Sequence, residues 1–323
     1  MGSVRQRQLI PLGDDTRAVE LLTDIATRFY LRGESQIQIA QALGLDASTV
    51  SRHLKRARSE GIVHVEIRPP RREDVDLGLE LAARFGLARA IVAPDAADGT
   101  DDLLGAVAAE YLEGLLSAGT RLGISWGRTL ANVVHHLRPR AVAGIDAAQL
   151  AGGVNDPVPG IQGADLVRRV AELYPGTRVH YLHAPAIVGS SATRAALASD
   201  PAIESALAAA RACEVALVGV GQISPRSTLY RGEHVSPDDW ETLVKAGAIG
   251  NMNTRFFDRD GRPVPELDDR TIAIDWDELR AIPNVIAIAG GIDKVAALDG
   301  ALASGAIDSL VTDERTARTL LER

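Results

Sequence analysis

A chain of 323 residues, 46% hydrophobic and 24% charged, is long enough for two domains with a core each and too apolar to be largely disordered. No apolar run reaches the ~18 residues of a spanning helix, and residues 1–15 hold no apolar stretch of signal-peptide type, so the expected location is the cytoplasm with no membrane partner. The formal net charge of −8 argues against a protein that coats nucleic acid over its whole surface.

In chain order, residues 18–31 carry Leu21, Leu22, Ile25, Phe29 and Tyr30 on one helical face, and Gly33 ends that helix. Ser35 and Gln38 have capping-box spacing and open a helix of about two turns that Gly44 stops. Asp46 or Ser48 caps a third helix that runs to Glu60, before Gly61. Residues 62–67 alternate as a short strand, which gives an all-α, winged-helix-like helix-turn-helix domain over residues 1–68. Pro69-Pro70 then opens a linker reaching residue 75. From 76 to 323 the pattern changes. Apolar runs at 90–93, 121–125, 149–150, 179–182, 215–220, 271–274, 285–289 and 309–312 alternate with helical stretches, of which 103–116 and 195–212 are rich in alanine. Runs apolar at nearly every position read as strands buried on both faces, so the body is expected to be a Rossmann-like α/β domain with a mostly parallel sheet.

The charge is divided between these parts. Residues 1–72 hold 12 Lys/Arg against 8 Asp/Glu, a balance of +4, and residues 73–323 hold 23 against 35, a balance of −12. Only the head is expected to meet a polyanion. Its third helix has the parts a DNA-reading helix needs: Ser48, Thr49, Ser51 and Arg52 near its start to reach base edges, and Arg52, His53, Lys55, Arg56 and Arg58 as cations. Val50, Leu54 and Ala57 form one stripe for docking. Ser35 and Gln36, opening the second helix, are the further candidate contacts to double-stranded operator DNA. A solvated basic helix is the alternative reading, and it leaves the short capped helix and glycine turn before it unexplained.

In the body, 123–129 reads as a strand ending in a turn that opens a helix, where free N–H groups and the helix dipole favour an anionic or hydroxylated ligand. It lacks the Gly-Lys-Ser/Thr ending of a nucleotide-binding P-loop. Gly152-Gly153, Gly219-Val220-Gly221 and Gly290-Gly291 also follow strand-like runs, and four such turns in one domain point to a shared pocket. Trp126 is either a stacking surface for a sugar ring or a core aromatic. Arg128 and Lys294 are either anion ligands or surface cations. Gln222, Asn155 and Gln162 are hydroxyl-binding candidates. His135-His136 shows no metal-ligand spacing to carboxylates, and Asp275 and Asp277 read as turn or cap residues. Cys213, the single cysteine, reads as a small buried hydrophobe.

The segment GESQIQIAQALGLDASTVSRHLKRARSEGIV at 33–63 resembles the helix-turn-helix of the SorC (sorbitol/sorbose operon) family of bacterial transcriptional regulators. GISWGRTL at 123–130, QLAGGV at 149–154, HAPAIV at 183–188, LVGVGQISP at 217–225, GAIGNMNTRFFDRDG at 247–261, IPNVIAIAGGIDK at 282–294 and LVTDE at 310–314 resemble that family's effector domain in order and spacing. The resemblance implies a body fold related to sugar-phosphate isomerases and deaminases, used to sense a sugar, polyol or phosphosugar without a cofactor, in a homodimer or homotetramer on operator DNA. The candidate effector-pocket residues are then Gly123, Trp126, Gly127, Arg128, Thr129, Gly152, Gly153, Asn155, Gly221, Gln222, Asp258, Gly290, Gly291 and Lys294; the resemblance places Asp258 at a pocket position, although beside Asp260-Gly261 it also reads as a turn former. Some relatives carry a lysine before the Gly-Gly of QLAGGV that can form a Schiff base with an aldehyde sugar. Here that position is Ala151. The alternative function is a sugar-phosphate isomerase or deaminase with a DNA-binding appendage.

Overall fold

The computed structural model describes residues 14–63, 74–95, 100–140, 142, 144–154, 160–225, 227–232 and 235–323, and the chain divides into two units, Met1–Pro70 and Arg71–Arg323. In the first, α1 (Asp14–Ala26) runs into a π turn at Thr27–Leu31 and is followed by α2 (Gln36–Leu43) and α3 (Ala47–Ser59). The capping box forms as its spacing implies: the Ser35 hydroxyl accepts from the Gln38 N–H at 3.3 Å and the Gln38 side chain accepts from the Ser35 N–H at 2.8 Å. Gly44 closes α2 in the left-handed conformation. Asp46 stands at the N-cap of α3, but its side chain makes no capping hydrogen bond. Ile25, Ile39, Ala40, Val50 and Leu54 form one small core, and Leu22, Ala26 and Ala57 a second. The π turn is tied to α3 where Arg58 Nε donates to the Tyr30 hydroxyl at 2.7 Å. Residues 62 and 63 are not in a strand. The rest of the expected wing strand, 64–67, and most of the linker lie outside the described residues.

The second unit begins with α4 (Val75–Phe85), capped by Asp74. It continues through β1 (Arg89–Ala93), α5 (Thr100–Leu115), β2 (Arg121–Ile124), α6 (Arg128–His136), β3 (Asp146–Gln149), α7 (Gly163–Leu173), β4 (Arg178–His180), α8 (Ser191–Ala198), α9 (Pro201–Arg211) and β5 (Val215–Gln222). Then come α10 (Thr228–Arg231), α11 (Pro237–Lys245), β6 (Gly250–Met252), β7 (Arg255–Phe257), β8 (Pro263–Val264), α12 (Trp276–Arg280), β9 (Asn284–Ile288), α13 (Val295–Ala303), β10 (Ser309–Asp313) and α14 (Glu314–Leu321). The sheet runs β1-β10-β9-β5-β2-β3-β4 with every neighbouring pair parallel. β6 pairs antiparallel with the end of β5, and β7 and β8 follow it.

Alternation along each strand sends side chains to two cores. Val215 and Leu217 of β5 join Leu122, Ile124, Ile286 and Ile288 beneath α5, α6 and α7, whereas Ala216 and Val218 join Val285, Ala287 and Leu310 beneath α4, α13 and α14. Burial of each such Val, Leu or Ile contributes about 1.5–3 kcal/mol relative to exposure, which is why these strands read as unbroken apolar runs. Two expectations are corrected. The run at 271–274 is buried but forms no strand: it makes isolated bridges, Thr271 to Ile187 and Ala273 to Ala151, and its backbone is shared between the loops at 150–152 and 186–188. The alanine-rich stretch at 195–212 breaks into α8 and α9 because Pro201 cannot continue a helix but suits the first turn of one, with Asp200 as its cap.

Gly152 belongs to this lacing. A Cβ there would stand 2.6 Å from the carbonyl oxygens of Ala184 and Pro185, both backbone atoms. Gly152→Ala is therefore expected to destabilise the body by about 1–3 kcal/mol, read as a lower urea midpoint with unchanged slope. A midpoint equal to the wild type's would show that the loops at 152 and 184 yield freely.

Candidate functional site

The strand order reverses direction at one place. From β2 the chain proceeds outward to β3 and β4, and from β5 it proceeds the other way to β9 and β10, with β2 and β5 paired at the divide. Chains that leave adjacent parallel strands in opposite directions open a crevice beyond the strands' carboxyl ends. A cavity of about 310 Å³ lies there. Its floor is the end of β5, Gly219, Val220, Gly221 and Gln222; one wall is the β2–α6 turn with Ser125, Trp126, Gly127, Arg128 and Thr129. Asn251 and Asn253 come from the β6–β7 hairpin, Ser227 and Thr228 from the start of α10, and Asp293 and Lys294 from the turn after β9.

This lining mixes cations, amides and hydroxyls. Arg128 is exposed, Lys294 is half-buried, and neither makes a hydrogen bond or ion pair with any described side chain. Arg128 is the first residue of α6, after Gly127, and Lys294 ends the short 3-10 turn Ile292–Lys294 and stands at the N-cap of α13; neither α6 nor α13 has a side-chain cap for its first N–H groups. An anion placed there gains about 0.3–1 kcal/mol from each helix terminus in addition to the side-chain charges. A second cavity of about 240 Å³ shares Arg128, Asp293 and Lys294 with the first and is lined besides by Asp95, Asp101, Gly290, Gly291, Asp313 and Arg315. The Gly291 N–H already donates to Asp313 and Thr316, at 2.8 Å each, and Gly290 leaves room for Asp313 Oδ2, 2.3 Å from where a Cβ would stand. That glycine pair thus serves the cap of α14. Gln222 Nε2 donates to Asp293 Oδ2 at 3.2 Å, linking the end of β5 to the turn after β9.

The hairpin grips the opposite wall. Its two turn residues, Asn253 at φ 51° and Thr254 at φ 65°, are the positive-φ residues other than glycine among the described residues. The Asn253 side-chain oxygen accepts from the Ser125 hydroxyl at 3.0 Å, and its amide donates to the Leu150 carbonyl at 3.3 Å. The Thr254 hydroxyl accepts from the Trp126 indole N–H at 3.0 Å. Asparagine tolerates this backbone region, whereas a β-branched residue there costs roughly 1–2 kcal/mol. Next in the chain, Arg255 is buried, pairs with Asp268 at 2.9 Å and donates to the Ala273 and Ile274 carbonyls, anchoring the hairpin's base.

Of the residues singled out in the sequence, Trp126, Gly127, Arg128, Thr129, Gly221, Gln222 and Lys294 line the main cavity, and Gly290 and Gly291 line the second. Five described ones, Gly123, Gly152, Gly153, Asp258 and Gln162, do not line either. Gly123 makes room for Leu150, Gly152 for the Ala184 and Pro185 backbone, and Gly153 bridges Pro185. Asp258 is a turn former whose carboxylate accepts from the Asp260 and Arg262 N–H groups. Asn155 lies outside the described residues, and Gln162 stands at the start of α7. The hairpin amides Asn251 and Asn253 were not singled out. Their signal was the NMNT segment, where Asn253 tolerates the positive φ of a two-residue turn.

Other titratable groups have structural roles. Asp275 caps α12 by accepting from the Asp277 and Glu278 N–H groups, and Asp277 pairs with Arg280. His136 pairs with Asp102 at 2.7 Å. Cys213 is buried beside Gly123, and burial pushes its thiol up to about 12, where it is no nucleophile at neutral pH. Among the described residues no group of three His, Cys, Asp or Glu is placed to hold a metal ion, and no helix is long and apolar enough to cross a membrane.

In the head, Val50, Leu54 and Ala57 are buried, which turns Ser48, Ser51, Arg52, Lys55 and Arg56 to the open side of α3. Arg52 donates to the Thr49 hydroxyl at 3.0 Å, and Arg56 pairs with Glu60 at 2.6 Å. Ser35 and Gln36 stand at the start of α2.

Comparison with known proteins covers both units. A family described as "Putative sugar-binding domain" matches residues 70–322, and a helix-turn-helix domain family matches residues 26–73. The deoxyribonucleoside regulator of Bacillus subtilis is 31% identical over 313 residues, covering 95% of this chain and 99% of that protein. The erythritol catabolism regulatory protein EryD of Brucella abortus is 28% identical over 298 residues, covering 90% and 93%. The crystal structure of the full-length sorbitol operon regulator SorC from Klebsiella pneumoniae superposes with a TM-score of 0.73 at 28% identity, covering 94% of this chain and 99% of that one. Matched across both units and over nearly the whole length of these proteins, the chain belongs to the SorC family of transcriptional regulators, with a helix-turn-helix head and a sugar-binding body.

Proposed function

We propose that this regulator controls an operon of carbohydrate use, and that a phosphorylated sugar or polyol bound in the body shifts the affinity of the head for operator DNA. The observation that carries the reading is the pair Arg128 and Lys294, cations without a described side-chain partner at the first residue of α6 and the N-cap of α13, on the rim of an amide- and hydroxyl-lined cavity. A phosphate is matched by the cations and helix termini, and the hydroxyls of the carbon skeleton by Gln222, Asn251 and Asn253. The names of the relatives, regulators for sorbitol, erythritol and deoxyribonucleosides, support a carbohydrate effector. Because those relatives are named as regulators, we read the cavity as a sensor and not as a site of turnover. The buried Ala151 side chain offers no amine for a Schiff base.

A thermal-shift screen of the full chain against matched pairs of sugars or polyols and their phosphate esters tests this. At about a hundredfold excess over Kd, a binder is expected to stabilise by about 2.7 kcal/mol, or roughly 5–10 °C. The shift should come from a phosphorylated member and be lost in Lys294→Ala. A shift with the unphosphorylated partner alone would overturn the anionic reading.

For the head, we propose that Arg52 reads a base edge and that Lys55, Arg56 and the serines at 48 and 51 position α3 in the major groove, with Thr49 holding Arg52. Ser35 and Gln36 would contact phosphates from the start of α2. A homodimer or homotetramer in the cytoplasm, reading two half-sites, would double the contacts of a head whose balance is only +4. Arg52→Ala is expected to weaken binding to a duplex selected from a random pool by about ten- to a hundredfold. Affinity should also fall steeply as salt is raised. Fluorescence anisotropy that shows neither effect would place DNA contact elsewhere.

A further inference from the structure

We propose that Thr254 is a positioning residue for the effector cavity: the hairpin turn carries an unfavourable backbone conformation at Thr254 in exchange for a hydroxyl that fixes the ring of Trp126 in the cavity wall. The proposal rests on the sugar-site reading for its consequence, but the geometry behind it does not. Thr254 is fully buried and does not itself line the cavity, so any effect on a ligand passes through what it touches. Its hydroxyl oxygen meets the indole N–H of Trp126 at 3.0 Å, and Trp126 does line the cavity.

The residue type is informative. At φ 65° in a two-residue turn, glycine or asparagine would hold the backbone more easily than threonine, and the neighbouring turn position does carry asparagine. An unfavourable residue that persists in a buried turn points to a use for its side chain. Here that use is visible. The hairpin clasps the two residues that directly follow β2, Ser125 through Asn253 and Trp126 through Thr254.

Without this bond the indole N–H would be left half-buried, and the ring could turn about its side-chain torsions within the apolar cluster it borders, which includes Val154, Leu229 and Phe256. With it, the ring plane is set before a ligand arrives. A fixed aromatic plane in a polar cavity favours a ligand with one flat face of C–H groups, the ring form of a sugar, over an open-chain polyol.

The test uses the full chain labelled with 5-fluorotryptophan, whose three tryptophans, Trp126, Trp240 and Trp276, give three fluorine resonances. Trp126→Phe identifies the first. In T254V, which keeps the shape and loses the hydroxyl, and in T254G, which relieves the backbone and loses the hydroxyl, the Trp126 resonance is expected to shift or broaden while the other two stay. T254S, which keeps the hydroxyl, should restore it. A Trp126 resonance unchanged in both T254V and T254G would overturn the proposal. Affinity for ribose 5-phosphate, measured by calorimetry, is expected to drop about tenfold in T254V and T254G and to be kept in T254S; measurable binding of equal affinity in all four proteins would also overturn it. A wild-type chain that ignores ribose 5-phosphate counts against the sugar reading alone, and the resonances still decide the role of Thr254.

Discussion

The parallel pairing of β2 with β5 is the interaction on which the body depends. Leu122, Gly123 and Ile124 lie against Val215, Ala216 and Leu217 in register, and this pairing joins the two halves of the sheet. Both strands are buried on both faces, so their ends are fixed by the core while the chain beyond them diverges. The crevice follows from that divergence and needs no further instruction from sequence. Sequence then decides what lines it. The turn after β2 brings Trp126 and Arg128, the extension of β5 brings Gly221 and Gln222, and the turn after β9 brings Asp293 and Lys294.

What was legible in the chain followed from how strongly each element's physics marks its own residues. Strands buried on both faces announce themselves as apolar runs, so 215–220 and 285–289 were plain. The head was plain because a capping box and a left-handed glycine are local chemistry, satisfied by Ser35, Gln38 and Gly44 within a few residues. The run at 271–274 misled because burial alone makes a segment apolar; whether its backbone pairs in a ladder or is shared between two loops depends on partners far away in sequence. The β6–β7 hairpin was not read because strands of three residues are too short to show alternation.

The glycines show a sharper limit. A glycine that admits a ligand and one that admits another backbone answer to the same requirement, a missing Cβ. Gly221 lines the cavity, with Asn251 Nδ2 2.7 Å from where its Cβ would stand, whereas Gly152 meets the carbonyls of Ala184 and Pro185. Nothing within either short motif separates them. Asp258 was ambiguous for a related reason, since a carboxylate that closes a turn by accepting N–H groups and one that accepts sugar hydroxyls use the same oxygens. Arg128 and Lys294 were ambiguous too, as anion ligands or surface cations; Arg128 follows Gly127 directly, Lys294 lies three residues past Gly291, and both line the cavity.

An effector controls DNA affinity only if it binds the two arrangements of the protein unequally. The residues proposed to hold the effector come from both sides of the β2–β5 divide. Arg128 and Trp126 belong to the half that leads to β3 and β4, and Gln222, Asp293 and Lys294 to the half that leads to β9 and β10. A ligand held by both halves favours whichever spacing of the two lets all its contacts form at once, and any other spacing forfeits some of them. Across the same divide, the hairpin that extends β5 makes two side-chain bonds, from Ser125 to Asn253 and from Trp126 to Thr254. A ligand that spans the divide therefore meets walls already tied to the fold: the hairpin holds Ser125 and Trp126, and Gln222, Asp313 and Thr316 hold the turn after β9.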